Sequence, residues 1–460
     1  MSKAEMQGVL GITADSRAVL PGYLFAALPG VKADGRRFIA EAVQKGAIAV
    51  LAPEGTAWPP GVPPRRLITA PDARVKLAEL AVEFFGRLPE RLVAVTGTNG
   101  KTSTVDFLRQ IFTLAGRKAA SVGTLGVIAP GHEPSGSLTT PDPVTLAQTL
   151  AGLAREGVSD VAMEASSHGL DQHRLDGLRF AAAGFTNLTR DHLDYHGFME
   201  AYGAAKLRLF EALLKRGGTA RAMEDLAPEI LARLKELAAA RGLDFETVAV
   251  ERVEPRPDGQ LVQVNGQVVE LHLPGRFQAD NAALAVSLAE AVGISGALSL
   301  LPQLRGVRGR LERALVLPNG AAAYVDYAHT PDAIARVLSA LRPHATGRLH
   351  IVFGAGGDRD SGKRPLMGEA AAKGADVVIV TDDNPRSEDP AMIRQTILAA
   401  CPNATEIGDR RAAIAAALEG LRAGDVLVVA GKGHEQGQIV KGEVIPFDDA
   451  SVIRELGGAA

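Results

Sequence analysis

The sequence is poor in cysteine, in net charge and in long apolar runs. A single cysteine, Cys401, stands in 460 residues. That excludes an intramolecular disulfide framework and a cysteine-based zinc cluster, and a reduced, cytoplasmic setting is expected. Lysine and arginine number 50 against 53 aspartates and glutamates, a formal net charge of −3. So even a balance gives no electrostatic case for a nucleic-acid or membrane surface. No apolar run reaches the length of a transmembrane helix. The opening Met-Ser-Lys-Ala-Glu-Met-Gln has no apolar stretch of the signal-peptide kind, so none is expected. No fixed-period repeat or low-complexity tract is evident. What remains is a globular composition, 46% hydrophobic and 22% charged, with length enough for about three domains.

One stretch organises the rest. Leu92-Val93-Ala94-Val95 reads as a buried strand, and Thr96-Gly97-Thr98-Asn99-Gly100-Lys101-Thr102 follows it. Val105, Leu108, Ile111 and Phe112 then recur at helical spacing. A strand, a glycine turn and a helix N-terminus form a phosphate cradle, because backbone N–H groups and the helix dipole favour anionic oxygens. Lys101, projecting from a surface turn, would reach the β- and γ-phosphates, and the Thr102 hydroxyl would hold Mg²⁺. Val95 stands where the strict pattern has glycine, so the loop is a variant. Alone it implies nucleotide binding and no more.

Three segments are expected: 1–88, 89–312 and 313–460. The first reads as a small α/β unit, ending in a helix with Leu77, Leu80, Ala81 and Phe84 on one face and breakers at 86–89. Asp15-Ser16-Arg17 reads equally as a turn with a solvated arginine. In the second segment, the strand 158–163 ends at Glu164-Ala165-Ser166-Ser167-His168-Gly169. A carboxylate there, beside a phosphate loop, suits Mg²⁺ bound to ATP. The strand 181–185 runs into a polar stretch, 186–196, containing His192 and His196; either taken alone favours a structural role over a metal, and two metal-competent strand ends in one domain shift the reading towards a site. A helix over 198–214 carries Lys206, by pattern an ordinary solvated lysine. Short strands over 248–273 turn at Asn265-Gly266. The third segment reads as a doubly wound parallel sheet. Its strand ends carry Asp326, Gly354 to Arg359, Asp382 to Arg386 and Gly431 to Glu435, and ligands of such sheets bind beyond those ends.

Taken together, these long, ordered motifs resemble the Mur ligase family, the ATP-dependent amino-acid ligases of peptidoglycan precursor synthesis, over nearly the whole chain. Within that family the runs 164–170, 186–197, 326–332, 356–365 and 382–386 are most similar to the branch that adds meso-2,6-diaminopimelate to UDP-N-acetylmuramoyl-L-alanyl-D-glutamate. The resemblance implies an α/β fold of three domains: a UDP-sugar-binding domain, a central P-loop ATPase-type parallel sheet with a small β appendage, and a C-terminal Rossmann-like domain that brings the amino acid. ATP would contact Gly97, Thr98, Asn99, Gly100, Lys101 and Thr102, with Asn281 near adenine and Arg310 and Asp326 near the ribose and phosphates. Ser16, Thr139, Thr140, Ser167, Gln172 and Arg174 would face the UDP-sugar. Mg²⁺ would be served by Thr102, Glu164, His192 and a carbamylated Lys206. Lys101, Lys206 and His192 would carry the catalysis. Arg359, Asp383, Asn384, Pro385, Arg386, Gly431 and Glu435 would hold the amino acid.

The implied partners are UDP-N-acetylmuramoyl-dipeptide and meso-diaminopimelate, without nucleic acid or membrane insertion, and a monomer is expected. Three positions depart from the family pattern: Arg221 to Asp225 after the Lys206 helix, Gln278 before Asn281, and Val31-Lys32 in the first substrate loop. The chemistry of amide formation explains the need for ATP. A carboxylate is a poor electrophile, so it is first converted to an acyl phosphate, which must then be kept from water. Closure of the third domain on the second is the expected device. No residue stands out as the base for the attacking amine. Rival readings are the lysine-adding relative, folylpolyglutamate synthetase and a nucleotide-switched scaffold for wall assembly. Arg386 bears on the first: its planar fork of donors matches a distal carboxylate that diaminopimelate has and lysine lacks.

Overall fold

The computed structural model describes residues 5–30, 33–132, 138–256 and 259–458. The departure at Val31-Lys32 lies outside them. The chain divides into two compact units, Met1–Ala249 with Leu284–Ala297, and Val250–Ala283 with Leu298–Ala460. The expected α/β class holds, with parallel-rich sheets in N-terminal, central and C-terminal domains.

Two sheets build the first unit. The N-terminal sheet is all parallel, in the order Gly11–Thr13, Tyr23–Ala26, Ala49–Pro53, Arg66–Ala70. The helix Ala73–Phe85 covers it, capped by Asp72, which accepts from two backbone N–H groups, and stopped at Gly86 with φ of +82°. Asp15 caps a short turn, and the exposed Arg17 pairs with it at 2.8 Å. The solvated-arginine reading therefore describes that tripeptide.

The central sheet runs Asp244–Val248, Leu214–Met223, Phe180–Phe185, Arg91–Thr96, Asp160–Glu164, Ala119–Gly123, Gly126–Ile128, with only the last strand antiparallel. Leu92, Val93, Ala94 and Val95 are buried, as a strand covered on both faces requires. Arg221, at a departure from the family pattern, is structural here. It bonds Asp244 at 2.9 Å and the Ser287 hydroxyl at 3.1 Å. The helix expected over 198–214 is two elements: an α-helix Met199–Arg208 and a wider π-turn Leu209–Leu213. The wider turn lets Leu209, Phe210, Leu213 and Leu214 all be buried.

The second unit holds an antiparallel meander, Arg252–Arg256, Gly259–Val264 and Gln267–Leu271. It turns at Asn265 and Gly266, both at positive φ, as a two-residue hairpin requires. Its main sheet runs Glu312–Val316, Ala322–Asp326, Val426–Ala430, Leu349–Phe353, Val377–Val380, Thr405–Glu406, parallel except for the first strand. Thr330 caps the helix Pro331–Leu341, whose Ile334, Val337, Leu338 and Leu341 are buried. Arg410 and Asp449, both fully buried, form a two-pronged pair at 2.8 and 2.7 Å beneath this sheet.

The helix carrying Lys206 is pinned by its next-but-one residue. Arg208 bonds both oxygens of Asp176, at 2.9 and 2.5 Å, and the Leu170 carbonyl at 3.0 Å. Burial alone would raise the Asp176 carboxyl, but hydrogen bonds from Arg208 and His173 outweigh it and hold the group at about 2, against an ordinary 3.8. That gap corresponds to about 2 kcal/mol of stability, complete above pH 4 and lost as pH falls from 4 through 2. Denaturant titrations from pH 7 to 2 should show this acid-side loss, and Arg208→Met should remove most of it. An unchanged acid profile in the variant would refute the assignment.

Candidate active site

The strand Arg91–Thr96 lies between Phe180–Phe185 and Asp160–Glu164, so the connections diverge at its C-terminal end. Gly97 sits there with φ of +142°, and a Cβ on it would overlap the Thr186 Oγ1. Gly100, left-handed at +85°, opens the helix Lys101–Leu114. The segment after Phe180–Phe185 braces the loop. The Thr186 hydroxyl donates to the Asn99 carbonyl at 2.6 Å. The Thr98 N–H donates to the Asn187 carbonyl at 2.8 Å and the Asn99 N–H to the Asn187 Oδ1 at 3.0 Å. The Tyr202 phenol donates to Thr98 Oγ1 at 3.2 Å. None of these bracing residues was among the expected site residues. For Thr186 and Asn187 the trace in the sequence is the crowding of threonine and asparagine over 186–189; Tyr202 leaves none.

Lys101 does not project from a surface turn. It is half-buried, and its Nζ folds back to donate to the Gly97 carbonyl at 2.8 Å and the Thr98 carbonyl at 2.7 Å. Nor is Lys206 a solvated lysine. It is buried, its Nζ donates to the same Gly97 carbonyl at 2.7 Å, and it lies 4.4 Å from the centre of the Tyr202 ring. Burial, and after it the charge of Lys101, push its ammonium well below the ordinary lysine value. The two preceding alanines conceal which helix face tertiary packing covers.

His192 has φ of +53°, unusual for a side chain of its size, and its ring meets His168 edge-on at 4.8 Å. His196 lies 5.6 Å from His168 and 5.3 Å from Tyr202. Its Nε2 is buried without a hydrogen-bond partner among the described residues. Burial, then the neighbouring His192 and His196, lower the His168 pKa, and burial first of all lowers that of His196.

Glu164 is buried and accepts from the Thr124 N–H at 2.7 Å and the Thr124 hydroxyl at 3.2 Å. Only glycine fits at position 123, because a Cβ there would overlap the Glu164 carboxylate. Two of the expected UDP-sugar residues join this network. Thr139 shares a hydroxyl contact of 3.0 Å with Thr124, and Thr140 donates to the Glu164 carbonyl at 3.0 Å. Arg174 donates to the Thr140 carbonyl at 2.7 Å and to Gln172 at 2.6 Å. Arg174 and Gln172 line a cavity of about 530 Å³ together with Thr13, Asp15, Arg74 and Asp142. Ser16 is not in its wall. Ser16 is buried, and its hydroxyl donates to Glu41 at 3.3 Å. Ser167, also buried, opens the short helix after Ser166.

The second unit gathers two further groups. Gln278 is fully buried. Its Nε2 donates to the Arg310 carbonyl at 3.0 Å, and its Oε1 has no partner among the described residues. Asn281 lies one turn further along the same helix. The Arg310 guanidinium covers the Tyr327 ring at 4.5 Å, and Asp326 accepts from the Leu311 and Ala328 N–H groups at 2.7 and 2.8 Å. These contacts bring Gln278, Arg310 and Asp326 into one neighbourhood.

The other group surrounds the run 383–386. Arg386 has φ of +52°, and its backbone pairs with the hairpin Gly437–Val440 and Glu443–Pro446, accepting from Lys441 and donating to Ile439. Its Nη1 donates to the Gly357 carbonyl at 2.7 Å. Gly357 packs on the Pro385 carbonyl and Gly431 on the Asp383 carboxylate, and a Cβ at either glycine would overlap these groups. Arg359 is exposed nearby in sequence. Asn384 donates to Glu435 at 2.8 Å and accepts from Lys432 at 3.1 Å and the Ile439 N–H at 2.9 Å. It is thus an internal brace as much as a surface donor. Lys432, completely buried, was missed because only the flanking Gly431 and Glu435 were singled out in its motif.

A glycine-built phosphate loop at the switch point of a parallel sheet, with a Rossmann-like domain following, defines a nucleotide-binding α/β protein. Family models match most of the chain: the Mur ligase family catalytic domain over residues 9–82, the Mur ligase middle domain over 95–289, and the Mur ligase glutamate ligase domain over 309–433. The chain belongs to the Mur ligase family. It is 54% identical to a UDP-N-acetylmuramoyl-L-alanyl-D-glutamate–2,6-diaminopimelate ligase of Caulobacter vibrioides, covering 98% of this chain and 96% of the relative. A ligase of the same name from Rhizobium meliloti is 53% identical over 97% and 94%. A solved structure of that name superposes with a TM-score of 0.72 at 34% identity, covering 98% and 95% of the two chains. The ADP complex of a MurF ligase from Thermotoga maritima, 17% identical with a TM-score of 0.64 over 99% and 98%, shares the fold.

The loop geometry makes a direct prediction. Gly97→Ala places a methyl group against Thr186 at a φ that side chains rarely adopt. ADP binding followed by calorimetry should weaken by at least about tenfold, as loss of close backbone approach to phosphate implies. Unaltered affinity would separate this loop from the nucleotide.

Proposed function

We propose that this chain joins meso-2,6-diaminopimelate to UDP-N-acetylmuramoyl-L-alanyl-D-glutamate at the expense of ATP, in peptidoglycan precursor synthesis. The observation that carries this reading is the run 383–386, with Arg386 fixed in a left-handed turn, in a chain 54% identical throughout to ligases of that name. Residues 1–88 take the UDP-sugar, 89–312 take ATP, and 313–460 bring the amino acid. It works as a monomer in the cytoplasm, where the buried Cys401 stays a thiol. No helix among the described residues is long and apolar enough to cross a membrane.

Each group has a role that follows from its chemistry. The loop 97–102 holds the ATP phosphates, and Lys101 neutralises charge on the transferring phosphoryl group. The substrate carboxylate takes that group to become an acyl phosphate. The amine of diaminopimelate attacks the carbonyl carbon, and phosphate leaves from the tetrahedral intermediate. Asn281, Arg310 and Asp326 bind the nucleoside side. Ser16, Thr139, Thr140, Ser167, Gln172 and Arg174 contact the UDP-sugar. Arg359, Asp383, Asn384, Pro385, Arg386, Gly431 and Glu435 frame the amino acid.

The residues fit magnesium. No group of three or more His, Cys, Asp or Glu among the described residues is placed to hold a metal ion by itself, and Mg²⁺ binds through one or two carboxylates while keeping waters and substrate phosphates. Glu164 and Thr102 would hold it, with His192 and a carbamylated Lys206 alongside. Bound there, Mg²⁺ would offset negative charge on the phosphates. CO₂ adds only to a neutral amine, and the buried Lys206 beside Lys101 is held towards that form.

Two measurements test this reading. Intact-protein mass spectrometry should find one added CO₂ that Lys206→Ala lacks, and that variant should lose nearly all ligation, with partial rescue by short carboxylic acids. An unmodified, dispensable Lys206 would count against its role. Amide formation, with ADP and phosphate released in proportion, should favour meso-diaminopimelate over L-lysine by up to about 10⁴-fold, because lysine leaves Arg386 unpaired. Arg386→Ala should lose most of that preference. Comparable kcat/KM for the two amino acids in the unmutated enzyme would overturn the substrate assignment, and hydrolysis independent of any amino acid would point to a switched scaffold.

A further inference from the structure

Lys432 is a buried cation with no place in the roles assigned above. It is completely buried after the strand Val426–Ala430, and its Nζ donates to Asn384 Oδ1 at 3.1 Å, Glu435 Oε2 at 3.3 Å and the Gly437 carbonyl at 2.5 Å. An ammonium has three donors, so this one is fully used and has none left for a ligand. Burying a charge is costly unless it is paired and hydrogen-bonded. Its one carboxylate partner here is Glu435, whose side chain remains 34% exposed.

The partners reveal what the cation organises. Glu435 Oε2 receives both Lys432 and the Asn384 amide, which fixes that oxygen and leaves Oε1 for a ligand. Asn384 Oδ1 receives both Lys432 and the Ile439 N–H. Two residues beyond Asn384, the Arg386 backbone joins the same hairpin strand at Ile439 and Lys441. One buried ammonium therefore ties together the carboxylate at 435, the turn that aims the guanidinium at 386, and the start of the hairpin. Glu435 and Arg386 carry opposite charges, so the pair matches a ligand end bearing both an ammonium and a carboxylate.

We infer that Lys432 is a positioning residue that fixes the Glu435 carboxylate relative to Arg386, so that the site recognises the distal ammonium of its amino acid and not only the distal carboxylate. This rests on the amino-acid reading above and adds a residue to it. Lys432 touches no substrate; it acts through Glu435 and Asn384.

The test compares two amino acids in the full-length enzyme: meso-diaminopimelate, and 2-aminopimelate, which keeps the distal carboxylate and lacks the distal amine. Lys432→Met should raise the KM for diaminopimelate by about tenfold or more, the scale of a lost charge-assisted contact. The KM values for ATP and UDP-N-acetylmuramoyl-dipeptide should stay within about twofold, and kcat should change less than KM. The penalty should largely vanish with 2-aminopimelate, and Lys432→Met should add little in a Glu435→Gln background. Equal penalties for the two amino acids, or a joint rise of all three KM values, would assign Lys432 a merely structural role and overturn the inference. Lys432→Gln keeps a donor without the charge and serves if the methionine variant fails to fold. If neither folds, Glu435→Gln must itself show the amine-dependent penalty, and full retention of the preference there overturns the inference. An unmutated enzyme that does not ligate diaminopimelate would instead end the amino-acid reading, visible before any variant is made.

Discussion

The carbonyl of Gly97 receives two lysine side chains, Lys101 at 2.8 Å and Lys206 at 2.7 Å. Two ammonium groups on one oxygen repel each other, and the one farther from water yields first. Lys206 is that one, since burial removes the hydration that would keep it charged. The arrangement requires every neighbour to be as it is. Gly97 must be glycine because Thr186 occupies the space of a Cβ. Thr186, Asn187 and Tyr202 must brace the loop so that the Gly97 and Thr98 carbonyls face the lysines, with the Thr98 and Asn99 N–H groups held by Asn187. Arg208 must lock the helix that delivers Lys206.

The second unit solves a related problem by other means. Lys432 is also buried, but its Nζ is surrounded by acceptors from Asn384, Glu435 and Gly437. Both lysines sit beyond the ends of parallel strands, where the sheet's own hydrogen bonding stops and the backbone offers carbonyl oxygens without partners. A buried charge can be supported there. The strand interiors between those ends are packed with Leu, Val and Ala. The ligase chemistry is thus confined to strand ends by electrostatics as much as by topology.

Much of this was legible in the sequence, for reasons that particular residues make clear. Local chemistry fixes what needs only neighbours in the chain. Buried parallel strands are continuous apolar runs such as Leu92 to Val95, Thr330-Pro331 starts a helix, and Asn265-Gly266 makes a hairpin. The order of strand, glycine turn and helix announced the phosphate loop, and the dispersed motifs announced the family. Tertiary structure decided what depends on partners far along the chain. Lys206, after two alanines, looks solvated until strand ends and Tyr202 close over it, 109 residues from the carbonyl it binds. Lys101 folds back because carbonyls lie within reach. Ser16 turns to Glu41, and Asn384 to Glu435, 51 residues away. Sequence determined which groups are present and at which strand ends. Only the fold decided which of them meet and which lose their water, because solvation and pairing belong to three-dimensional neighbours and leave no period in the chain.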